Sequence, residues 1–144
     1  MPANTEPIFS RLGEVSANGT TGFGAAITTA TGDYTGASAN HVLVHTSDAT
    51  NGSYVQRLRF TAIGTNVASV ARIYINNGSA NTTAANNVIF GQVSLPATTA
   101  INTAATVEVD YPMGIALNPG FRIYVGVGTT VAAGWVCVAV AGKY

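Results

Sequence analysis

Apolar and polar residues alternate with a period of two along most of this chain, and helical spacing is hard to find. The clearest stretch runs from Tyr54 to Ile63. There Gln56, Leu58, Phe60 and Ala62 fall on one side and Val55, Arg57, Arg59 and Thr61 on the other, as a pleated strand requires. The same rule sets Ala71, Ile73 and Ile75 against Arg72 and Tyr74 within Ser69 to Asn76. It sets Val107 and Val109 against Glu108 and Asp110 within Thr106 to Tyr111. Each of these three segments reads as a strand with one wet face. Ala25 to Thr31, His41 to Thr46, Asn87 to Leu95 and Phe121 to Val127 add four more strands. Trp135 to Ala141, apolar on both sides, reads as a strand covered on both faces.

The breaks between strands carry turn chemistry. Asn51-Gly52 and Asn77-Gly78 suit positive φ, and Asn118-Pro119-Gly120 puts Pro and Gly at the centre of a type II turn. Many short strands at this spacing predict an all-β fold, an eight-stranded antiparallel jelly-roll β-sandwich of two four-stranded sheets. Its expected core is Leu58, Phe60, Ile73, Ile75, Val107, Val109, Ile123 and Val125. One echo stands out, GTNVAS at Gly64 to Ser69 against GTTVAA at Gly128 to Ala133. In jelly-roll order these are loops at the same end, either similar tight connections or parts of one binding surface.

Met1 to Phe23 shows no period-two pattern, and Pro2 and Pro7 each remove a backbone donor. The expectation is therefore an extended N-terminal arm over residues 1–23 and a single sandwich domain over 24–144. Ile8, Phe9 and Leu12 are the arm's apolar anchors, since leaving them in water forgoes about 1.5 to 3 kcal/mol per fully buried side chain. They would seat on a sister subunit, on a larger shell, or back on their own sheet.

Composition changes the picture of the surface. Charged residues are 8% of the 144, against about 25% in ordinary domains. Thr, Asn, Ser and Gly must furnish the exterior instead, as in NNGSANTTAANN and LPATTAINTAA. At 47% hydrophobic and rich in β-branched residues, the chain is not of a disordered type. Six basic residues cancel six acidic ones, so the basic excess needed against nucleic acid or a membrane surface is missing. No run reaches the roughly 18 apolar residues of a membrane span. The start lacks the basic and apolar regions of a signal peptide, so synthesis in a cytoplasm is expected. Cys137 is the single cysteine, which leaves no internal disulfide.

Candidate chemistry is thin. His41 and His45, four apart on a strand, would stand roughly 13 Å apart, too far to share one ion, and they read as solvent- or interface-facing. Glu108 and Asp110 share a face about 7 Å apart, within reach of an inverting glycosidase pair, but cross-strand pairing with Arg57, Arg59 or Arg122 accounts for them more simply. Cys137 lies among valines as a small hydrophobe. Asn18, Asn51, Asn77 and Asn81 open N-x-S/T sequons that matter only in a secretory compartment. No cofactor or metal set is predicted. Five of the six basic residues are arginine, the better interface group because its planar fork pairs and stacks. Arg57, Arg59, Arg72 and Arg122 are thus candidate contacts, with a merely solvated face as the alternative.

The runs GTNVASVARIYINNGS, LPATT and ALNPGFRIYVGVGTTVAAGW resemble small proteins encoded beside capsid genes in tailed bacteriophages. More loosely, they resemble the jelly-roll cement or decoration proteins of phage heads. The resemblance covers Tyr54 to Tyr144. It implies a location on the virion capsid surface after synthesis in the bacterial host cytoplasm, contact with the major capsid protein, self-association as a homodimer or homotrimer, and no catalysis. The competing expectation is a receptor- or glycan-binding module of a head fibre or tail, using loop aromatics such as Tyr34 or Trp135.

Overall fold

A computed structural model describes residues 12–17 and 24–144. Eight strands are found among them: β1 (Leu12–Ala17), β2 (Val42–Thr46), β3 (Ser53–Ala62), β4 (Ser69–Asn76), β5 (Asn87–Leu95), β6 (Glu108–Leu117), β7 (Arg122–Val127) and β8 (Trp135–Lys143). They form two antiparallel four-stranded sheets in the orders β1-β8-β3-β6 and β2-β7-β4-β5. One turn of 3-10 helix, Ala84–Asn86, interrupts the β4–β5 connection. The turns behave as their residues require. Gly52, Gly78 and Gly120 all have positive φ, and the Phe121 amide donates to the Asn118 carbonyl across Pro119-Gly120.

Three expected elements differ, one of them β6, which starts at Glu108 and runs on through Pro112 to Leu117 where Thr106 to Tyr111 was expected. Ala25 to Thr31 makes only isolated bridges, Ile27 to Trp135 and Ala30 to Val127, and joins no ladder. The eighth strand is instead β1, inside the segment expected to be an arm. It pairs with β8 from Leu12↔Lys143 to Ala17↔Val138, so residues 12–17 belong to the sheet. A free sheet edge satisfies the backbone of a strand with weak periodicity of its own, which is why pattern alone missed it. Ile8 and Phe9 lie outside the described residues.

The core is built from the inward sides of both sheets. Leu58, Phe60, Ile73, Ile123 and Val125 are fully buried there with Val55, Trp135 and Cys137, while Ile75 and Val109 pack partly buried at its margin. Val107, expected in the core, is 37% exposed. It lies just before β6, where the pleat that would turn it inward has not begun. A bulge also corrects β3. Gln56 has no register partner on β8 or on β6, where pairing steps from Val55↔Ile115 to Arg57↔Pro112. The extra residue reverses the alternation, so Val55 is inside and Gln56 outside.

Candidate interaction surface

The outer side of β4 is not wet. The connection from Gly24 to His41 crosses it, bonded backbone to backbone at Thr31 to Val127 and Ile27 to Trp135. Arg72, 7% exposed, donates to the Thr31 carbonyl at 2.7 Å and to the Tyr34 hydroxyl at 3.1 Å, with its guanidinium 4.1 Å from the Tyr34 ring centroid. Tyr74 donates to the Asp33 carbonyl at 2.7 Å and lies against the His41 ring. Asp33 in turn accepts from the Thr35 and Ala37 amides, bonds that hold its carboxyl below the ordinary range. Arg72 is therefore largely buried, with its guanidinium nitrogens Nη1 and Nη2 bonded within the chain.

Both histidines are buried as well, His41 at 4% and His45 at 1% exposure, which overturns the expectation that they face solvent or a partner. His41 sits over Gly126 on the outer face, its ring nitrogens bonded to the Gly36 carbonyl and the Thr31 hydroxyl. Register slips between Leu43 and His45, which turns His45 inward opposite Ile123, where Nδ1 lies 2.8 Å from Ser16 Oγ of β1. Burial lowers the pKa of both rings. Trp135, expected among loop aromatics, is wholly buried in the core, and Tyr34 stays exposed.

The two echoing loops meet. Asn66, in the β3–β4 loop and 4% exposed, accepts through Oδ1 from the Ala133 and Gly134 amides at 3.0 and 2.7 Å. Its Nδ2 donates to the Gly134 carbonyl at 3.1 Å, and its backbone exchanges hydrogen bonds with Thr98. Three connections, β3–β4, β5–β6 and β7–β8, are thus tied by one asparagine. This is a structural brace. The buried polar groups all face one another, so the echo reflects paired tight connections.

Among the described residues, the face left open is the outer side of β1-β8-β3-β6. The register lays Val15 and Ala17 of β1 beside Val140 and Val138 of β8. It lays those valines, with Val136, beside Arg57, Arg59 and Thr61 of β3, and these beside Pro112, Asp110 and Glu108 of β6. One half of the face is an aliphatic stripe. Val136, Val138 and Val140 are half-buried and Val15 is exposed. The other half is charged. Arg59 grips Asp110 with two bonds, Nε to Oδ1 at 2.8 Å and Nη2 to Oδ2 at 3.0 Å, and Glu108 lies 3.8 Å from Nη1. That pairing holds the Asp110 carboxyl below its usual range and raises Arg59. Arg57 Nε is buried with no hydrogen-bond partner among the described residues.

The site residues expected from sequence do not converge. Arg57 and Arg59 share the open face, whereas Arg72 and Arg122 are on the outer side of the opposite sheet. Leu12, 66% exposed, begins β1 on the alternation opposite to Val15. The β8 valines were visible as an apolar run, but the run does not say which side stays uncovered. No family profile, curated protein or solved structure matches the chain.

Proposed function

We propose that this chain is a structural, non-enzymatic virion protein, a jelly roll that binds the outside of a tailed-phage capsid and cements or decorates it. The jelly-roll reading is supported by the ladders β1–β8, β2–β7, β3–β6 and β4–β5. These are the pairs made when one long hairpin is rolled over itself into two sheets. The observation that carries attachment is the open sheet face, with its valine stripe beside Arg57 and the Arg59–Asp110 pair. An aliphatic centre with arginine beside it is the make-up of protein interfaces. Catalysis finds no support there, because Asp110 is engaged by Arg59 and its carboxyl is driven down, away from the raised value a general acid needs.

The test is composition of purified particles of the phage that encodes the chain. Cementing expects a copy number of the same order as the major capsid protein, and Val138→Lys should abolish binding to capsids with an unchanged circular-dichroism spectrum. Absence from the particle overturns the reading. A copy number far below that of the shell protein replaces it with the fibre or tail module.

A further inference from the structure

The sheets end in four edge strands, and three of them are guarded against pairing with other chains. β6 carries Glu108, Asp110 and Pro112. β1 carries Glu14, and β2 is five residues long and linked to β1 through Ser16 and His45. Charges, prolines, bulges and short length are the ordinary devices that keep an edge single. β5 has only one of them, a bulge at Phe90. Its nine residues, Asn87 to Leu95, contain no charge and no proline, and they lie within a 35-residue run from Ile73 to Val107 without any charged side chain.

The same run is where apolar surface collects. Val88, Ile89, Phe90, Ile101 and Val107 are five of the eleven large apolar side chains exposed among the described residues. Phe90, the bulged residue of β5, reaches toward Tyr111 across the open side of the sandwich. It borders an open apolar cleft of about 260 Å³ with Ile75, Ile115, Leu117 and Phe121.

We propose that β5 is a self-pairing edge: two copies of this chain join antiparallel through β5 about a two-fold axis, continuing β2-β7-β4-β5 into one eight-stranded sheet. A second copy is the occupant that the charge pattern fits. Antiparallel pairing about a two-fold axis sets residue i of one copy beside residue j of the other and j beside i, so like charges meet where the axis passes near them. β6 has two carboxylates, Glu108 and Asp110, that an axis near its start would bring together. β5 has none. The pairing also draws Val88, 59% exposed, and the exposed part of Phe90 out of water. It uses the opposite edge of the molecule from β1 and does not depend on the capsid reading.

Sedimentation velocity of the full chain tests this. The wild type should sediment as a dimer at about 50 µM and dissociate on dilution. Val88→Lys with Gln92→Lys should raise the dimer dissociation constant by at least about tenfold, with an unchanged circular-dichroism spectrum. Should the double variant fail to fold, Gln92→Lys alone, a polar exchange at an exposed position, carries the test. Hydrogen exchange at the β5 amides should slow with concentration in the wild type only. Val15→Lys should leave the dimer intact, even if it loses capsid binding. A wild-type monomer over the whole range, a trimer, or a dimer insensitive to the β5 lysines overturns the proposal.

Discussion

Replacing Asn66 by alanine removes the brace between the loops at one end of the sandwich, and its cost can be worked from the bonds it breaks. The carbonyls that Nδ2 serves keep other partners: Gly134 O accepts from the Ile63 amide, and Gly64 O from the Thr98 hydroxyl. The Ala133 and Gly134 amides have no such substitute, since Oδ1 of Asn66 is their acceptor. A buried donor left unpaired costs about 1–3 kcal/mol. Gly134 is buried and Ala133 half-buried, so the two together should cost about 2–5 kcal/mol. For a chain of this size that lowers Tm by roughly 4–20 °C, at about 2–4 °C per kcal/mol. Against a total stability of about 5–15 kcal/mol the variant still folds. Thermal unfolding followed by circular dichroism measures the shift, and hydrogen exchange should speed at Ala133 and Gly134 before it speeds in β3 or β8. Thr98→Val, which removes one hydroxyl from the same cluster, should cost about 1 kcal/mol and be non-additive with Asn66→Ala. A Tm for Asn66→Ala within about 1 °C of wild type would refute the reasoning, because it would mean that the two amides are not truly withdrawn from water.

Two further outcomes are expected. Gly52→Ala places a side chain at φ 82° and onto the Leu117 carbonyl oxygen, so it should destabilise by at least about 2 kcal/mol in urea unfolding; a change under half of that would show that the turn relaxes freely. Stability should also fall as pH drops from 7. His41 and His45 have folded pKa values below the ordinary 6.5, so the unfolded chain takes up protons first, and the loss runs from about 6.5 down through the folded values. Glu14 opposes this at His45 and Lys143 adds to it, while Asp33 and Arg72 act in the same opposed senses at His41. The urea midpoint at about pH 5 should lie below that at about pH 7.5, and His45→Gln should reduce the difference; a midpoint that stays constant or rises on acidification counts against it.

Much of the fold is written locally. β4 and β5 have the bounds that alternation predicts, and β3, β7 and β8 differ from expectation by only one or two residues at their ends, because a period of two is a property of the pleat and needs no partner to be read. Glycine and proline positions mark the turns for the same local reason. The Arg59–Asp110 pair was also within reach, since alternation puts both side chains on exposed strand faces.

What only tertiary structure decided is which faces are covered and by what. Arg72, Tyr74 and His41 look half-wet along the chain, yet they are buried because the connection from Gly24 to His41 lies across them, at sequence distances of about 40 residues for Arg72 and Tyr74. The outer valines of β8 look covered on both sides, yet among the described residues they are only half-buried on one. β1 exists as a strand because β8 offers it an edge. The bulges at Gln56, Val44 and Phe90 depend on neighbouring strands, and each resets the alternation that pattern reading assumes to be unbroken. Periodicity is set by the backbone of one strand, whereas coverage is set by contacts between segments far apart in the chain, and that is the physical boundary between the two.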